Sequence, residues 1–134
     1  MKKIKVLFVD DDAKKWIIPL KSNINPEEIE IEYETQATNT LERLRNGNFD
    51  VLLLDLDFKK NQLEMRKGKD VLVECKKEFP DLPVIIFTGS FTPDTADECL
   101  KKNAFEYITK YPLDYNKLYE TIKKAAESKN NKNI

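Results

Sequence analysis

Residues 51–57 read Val51-Leu52-Leu53-Leu54-Asp55-Leu56-Asp57, four aliphatic side chains in a row and then two carboxylates one residue apart. A strand that shows one face to water alternates apolar with polar residues. An unbroken apolar run fits a strand covered on both faces, which points to a parallel sheet between two layers of helices. Val84-Ile85-Ile86-Phe87 reads the same way, and Lys5-Val6-Leu7-Phe8-Val9 ends like the first run on acids, here Asp10-Asp11-Asp12. Carboxylates brought together where buried strands end repel one another and raise one another's pKa unless a cation or hydrogen-bond donors hold them. The cluster is therefore a candidate site for a hard divalent metal on oxygen ligands.

Working outward, strand patterns fall at residues 3–9, 29–34, 50–55, 83–88 and 105–109, each bounded by turn or helix signals. Helical spacing links them. Residues 13–22 form a first helix that Pro19 should shorten or kink, and residues 37–46 a second that Gly47 should cap. Residues 69–79 form a third that stops before Pro80. Thr92-Pro93, a hydroxyl cap followed by proline, opens a fourth, and residues 114–127 form a fifth. Strands joined by helices of this length imply right-handed crossovers. The expected fold is α/β: a flavodoxin-like, doubly wound parallel sheet of five strands, (βα)5, in the order 2-1-3-4-5. Its ligand crevice lies where strands 1 and 3 meet at their carboxyl ends. One domain over residues 1–126 is expected, followed by a polar tail, 127–134, that should fray.

Composition narrows the chemistry. The chain has 134 residues, 23 basic against 24 acidic, for a formal net charge of -1. Nothing in that balance calls for nucleic acid or a membrane as a direct partner. A chain of this size buries roughly two-thirds of its unfolded surface and needs no disulfide or metal staple. Cys75 and Cys99 have no CxxC spacing, and there is no histidine, which excludes a zinc set with histidine, a Ser-His-Asp triad and a phosphohistidine on this chain. No stretch approaches the roughly 20 apolar residues of a membrane span, and the short apolar run after the amino-terminal lysines is no signal segment, so a cytoplasmic protein is expected.

Two further residues fall at strand ends. The fourth strand runs into Thr88-Gly89-Ser90 and the fifth into Lys110. An acid pair for a metal, a separate aspartate, a hydroxyl and a lysine on one rim suit phosphoryl chemistry: the aspartate attacks phosphorus while metal and lysine neutralise the transferred oxygens.

With these segments in order, the chain resembles the receiver domain of two-component response regulators, as in the chemotaxis regulators. The resemblance runs from about Lys3 to Lys124 and rests on Val9-Asp10-Asp11-Asp12, on residues 52–57, on Ile86-Phe87-Thr88-Gly89-Ser90 and on residues 104–110. It implies that Asp55 is the phosphoacceptor, taking a phosphoryl group from a histidine kinase or histidine phosphotransfer protein. Asp10, Asp11, Asp55 and the backbone carbonyl of Asp57 would hold Mg2+, Thr88 would bond the phosphoryl oxygen, and Lys110 would pair with it. Thr88 and Tyr107 would switch together and remodel the surface of helix 4, strand 5 and helix 5 for a downstream protein, as a monomer or a phosphorylation-dependent dimer. The chain would be no enzyme beyond forming and losing its own aspartyl phosphate.

Two departures from the family pattern stand out. Tyr111 intervenes between Lys110 and Pro112, so either the turn comes one residue later or the lysine is held differently. Residues 58–68 form a basic loop, longer than the family's by about five residues, read as a solvated loop or a partner contact. Trp16, Lys14 and Lys15 follow the acids and read as surface packing or as walls of the entrance, and Asp12 as a cap of the first helix or an outer acid. Two other functions stay open. One is a small phosphatase of the haloacid dehalogenase type using Asp55 and Asp57, though that motif normally lies in the first strand. The other is a degenerate receiver that only binds proteins.

Overall fold

The apolar runs pair side by side. Strands β1 (Ile4–Val9), β2 (Ile29–Glu34), β3 (Val51–Leu54), β4 (Val84–Thr88) and β5 (Glu106–Thr109) form one sheet in the order β2-β1-β3-β4-β5, every pair parallel. This computed structural model describes residues 2–56, 68–89 and 92–132. Among the described residues five α-helices connect and flank the strands: α1 (Ala13–Asn23), α2 (Thr40–Asn46), α3 (Gly68–Glu78), α4 (Pro93–Lys101) and α5 (Tyr115–Lys132). The order and the flavodoxin-like architecture are those the sequence predicts.

Period-two alternation sorts the core into two layers. Val6, Phe8, Leu53, Ile85, Phe87 and Ile108 pack with Ile17 and Leu20 of α1 and Leu118 and Ile122 of α5. Leu7, Val9, Leu52, Leu54, Ile86 and Tyr107 face the other way, with Leu44 of α2, Val71, Leu72 and Cys75 of α3 and Cys99 of α4. All four residues of β3 are fully buried, each such side chain contributing about 1.5–3 kcal/mol. The edge strand β2 keeps the alternation of a half-covered strand, and its Glu32 and Glu34 are paired with Arg43.

Gly47 caps α2 as expected, in an extended and not a left-handed conformation, its φ being -122°. Glycine is needed there because a Cβ would lie 2.5 Å from the Phe49 ring. The last helix runs on to Lys132, past the boundary expected at residue 127. The Lys129 ammonium anchors it, 3.0 Å from the Phe49 carbonyl and 3.6 Å from Asp50. Thr92 does cap α4 as expected, accepting from the Thr95 amide at 3.1 Å.

Pro19 lies inside α1 without ending it. The ring removes one intrahelical bond, but the apolar side of the helix, Ala13, Ile17 and Leu20, is buried, and that packing outweighs the lost donor. An interior proline costs about 3 kcal/mol relative to alanine, offset by roughly 1 kcal/mol because it restrains the unfolded chain. Pro19→Ala is therefore expected to raise stability by about 2 kcal/mol, seen as a higher midpoint in thermal circular dichroism. A lower midpoint would mean that packing of the ring outweighs the missing hydrogen bond.

Candidate functional site

The backbone ladder runs one residue beyond the strand ends. The Asp10 amide donates to the Glu34 carbonyl at 3.1 Å, the Asp55 amide to Val9 at 3.0 Å and the Lys110 amide to Thr88 at 2.8 Å. Asp10, Asp55 and Lys110 are thus set on one rim by the same register that pairs Val9 with Leu54 and Thr88 with Thr109. All three are buried, as is Thr88.

Carboxylate oxygens of Asp10, Asp11 and Asp55 lie within 4.8 Å of one another. The Lys110 ammonium lies 2.5 Å from Asp10 Oδ2 and 3.7 Å from Asp55 Oδ2, and Asp10 Oδ1 accepts from the Asp12 amide at 2.7 Å. Burial pushes the Asp10 carboxyl above the ordinary carboxylate value. The hydrogen bond and charge of Lys110 and the Asp12 amide pull it back, and the charge of Asp11 adds to the rise. Asp10 is fully enclosed and Lys110 is 6% exposed, so their attraction is little screened by water.

Among these four groups, three carboxylates face one ammonium and leave two negative charges over. A hard divalent ion on oxygen ligands supplies that charge, so the donor set fits such an ion. The further ligand expected from Asp57 lies outside the described residues, as do Ser90 and residues 58–67 of the long loop.

The remaining expectations can be placed. Thr88 is the last residue of β4, and Tyr107 is buried in the layer that holds Ile86, Cys99 and Ala104. Asp12 stands at the amino-terminal cap position of α1 but makes no capping hydrogen bond through its side chain. The peptide between Tyr111 and Pro112 is cis; the turn comes one residue later, and Lys110 still reaches both acids.

The sequence leaves Trp16 open to surface packing or the entrance, and Tyr111 without a role. In the structure the Trp16 ring lies 5.2 Å from the Lys110 ammonium and edge-on to Phe87 and Tyr111, with centroids 5.7 Å apart in both pairs. The signal was present in the spacing: Trp16 stands one helical turn beyond Asp12, at the end of α1 nearest the acids.

Residues 6–123 match the response regulator receiver domain family. The transcriptional regulatory protein ZraR of Klebsiella oxytoca is 32% identical over 122 residues, 91% of this chain and 26% of that protein. The chain thus spans about a quarter of the length of the curated relatives it matches. A response regulator receiver domain protein from Clostridium thermocellum is 30% identical with a TM-score of 0.80, over 95% of this chain and 97% of that one. A CheY-like receiver domain protein from Methanospirillum hungatei, 24% identical, shares the fold with a TM-score of 0.82 over 98% and 99% of the two chains. Among the described residues no helix is long and apolar enough to cross a membrane.

Proposed function

The chain belongs to the response regulator receiver domain family, and from that premise we propose that Asp55 accepts a phosphoryl group from the phosphohistidine of a partner kinase or phosphotransfer protein. The observation that carries this reading is the convergence of three carboxylates within 4.8 Å on a buried lysine. Without a histidine of its own, the chain needs another molecule as donor.

A carboxylate oxygen of Asp55 attacks phosphorus, the phosphorus–nitrogen bond breaks, and the departing imidazole nitrogen keeps the electron pair and takes a proton from solvent. The product is an acyl phosphate. Asp10, Asp11 and Asp55 would hold Mg2+, which would supply positive charge for the approach of an anionic group to an anionic nucleophile. Lys110, already 3.7 Å from Asp55, pairs with an oxygen of the incoming group, and the Thr88 hydroxyl donates to another. These contacts, together with the buried Tyr107, would transmit the added charge to α4, β5 and α5, the surface for a downstream protein. Receiver domains are not classical enzymes, and the chemistry proposed here is limited to making and losing one aspartyl phosphate.

Intact mass after incubation with acetyl phosphate tests the reading. One phosphoryl adduct is expected with Mg2+, none with a chelator present, and the adduct should map to the peptide that contains Asp55. An adduct elsewhere, or none, rules out the assignment. Sustained turnover of p-nitrophenyl phosphate would favour the haloacid dehalogenase type of hydrolysis instead.

A further inference from the structure

The Lys110 ammonium is met by two kinds of group. Asp10 and Asp55 are its acidic partners, and the rings of Trp16 at 5.2 Å and Phe87 at 5.5 Å both lie within the roughly 6 Å at which an aromatic face attracts a cation. Trp16 in turn meets Tyr111 at an interplanar angle of 62° and Phe87 at 82°. The Tyr111 ring lies over the turn that follows Thr88: a Cβ on Gly89 would come to 3.2 Å from it. Two rings, from α1 and β4, therefore flank one ammonium, and a third, from the turn after β5, backs the first of them.

Phe87 is explained by the core, where it is fully buried. Tyr111 is not, because it is 63% exposed and gains little from burial. Trp16 lies between them, half-buried and steeply inclined to each ring. We propose that Trp16, steadied by Tyr111, is a positioning residue that holds the Lys110 ammonium over the acids for phosphoryl transfer, an inference that rests on the reading of Asp55 given above. The rings restrict the flexible lysine stem without competing for its hydrogen bonds, so the charge stays aimed at the acid rim. Because Tyr111 also covers Gly89, the same rings link the lysine to the turn beside Thr88.

An apolar filler of similar bulk would serve packing but not a cation. Trp16→Phe keeps an aromatic face and Trp16→Leu does not, so their initial rates of phosphorylation by acetyl phosphate, compared at equal thermal midpoint, separate the two roles. Trp16→Phe is expected within about twofold of the parent and Trp16→Leu roughly three- to thirtyfold slower, the range of a partly desolvated cation–π contact. Equal rates for Trp16→Leu and the parent, with adduct formed by both, would overturn the positioning role and leave Asp55 in place. A parent that forms no adduct would instead overturn the Asp55 reading. A donor-free measurement judges the contact by itself: Trp16 is the only tryptophan, and Lys110→Met should change its emission intensity, with a smaller change for Tyr111→Leu. Emission indifferent to the loss of Lys110 would overturn the clasp whatever the phosphorylation result.

Discussion

Asp55→Asn is expected to abolish the phosphoryl adduct completely and, in metal-free buffer, to raise the thermal midpoint. The first effect follows from chemistry: an amide oxygen carries no full negative charge and cannot yield an acyl phosphate. The second follows from electrostatics. Removing one of three carboxylates that approach within 4.8 Å relieves repulsion while keeping the shape of the side chain, and it leaves the 2.5 Å pair between Lys110 and Asp10 intact. A relief on the order of 1 kcal/mol corresponds to a rise of about 3 to 5 °C for a domain of this size. Mg2+ should then stabilise the variant less than the parent, because ligand binding stabilises in proportion to affinity and one ligand has lost its charge. Residual adduct in the variant would move the phosphoacceptor elsewhere. An unchanged midpoint in both buffers would mean that the three acids do not repel one another in the folded protein.

The two halves of this site differ in how far the sequence reveals them. Asp10, Asp55, Thr88 and Lys110 each end an apolar run, and in a parallel sheet all carboxyl ends lie on one side, so patterning alone brings them to a common rim. Once β1 and β3 are neighbours, the register leaves little freedom: the Asp55 amide must bond Val9. The aromatic enclosure is not legible in that way. Trp16 and Tyr111 are 95 positions apart and meet only because α1 and the turn after β5 flank the same crevice, a contact between elements that no local period encodes. Gly47 shows a different limit. The sequence marks Gly47 as the cap of α2, but only packing reveals that the Phe49 ring, and not a positive φ, calls for glycine there. The last helix shows a third. Glu127, Ser128 and Lys129 read as a polar tail, and the contact of Lys129 with the Phe49 carbonyl just before β3 is one that no local pattern reveals.

Lys110→Met should be the more damaging change to the fold. Asp10 is fully buried and its principal countercharge is Lys110 at 2.5 Å; methionine keeps the apolar stem and removes the charge. Breaking a buried pair by deleting one partner costs about 3 to 5 kcal/mol, because the other charge is left enclosed, and for this domain that lowers the midpoint by on the order of 10 to 25 °C at neutral pH. The pH dependence identifies the cause. Burial already raises the Asp10 carboxyl above its ordinary value despite Lys110, and losing the lysine raises it further. A carboxyl with a raised folded-state pKa binds its proton more tightly in the folded protein than in the unfolded one. Stability therefore falls as pH rises from the unfolded value through the folded value. The deficit of Lys110→Met should be smallest in acid, where Asp10 is protonated in both proteins, and should grow toward neutral pH. Mg2+ should restore part of it by returning positive charge to the acids. Thermal midpoints of the two proteins over a pH series, with and without Mg2+, measure all of this. A deficit that stays constant with pH would trace the loss to packing of the lysine stem and not to the enclosed charge of Asp10.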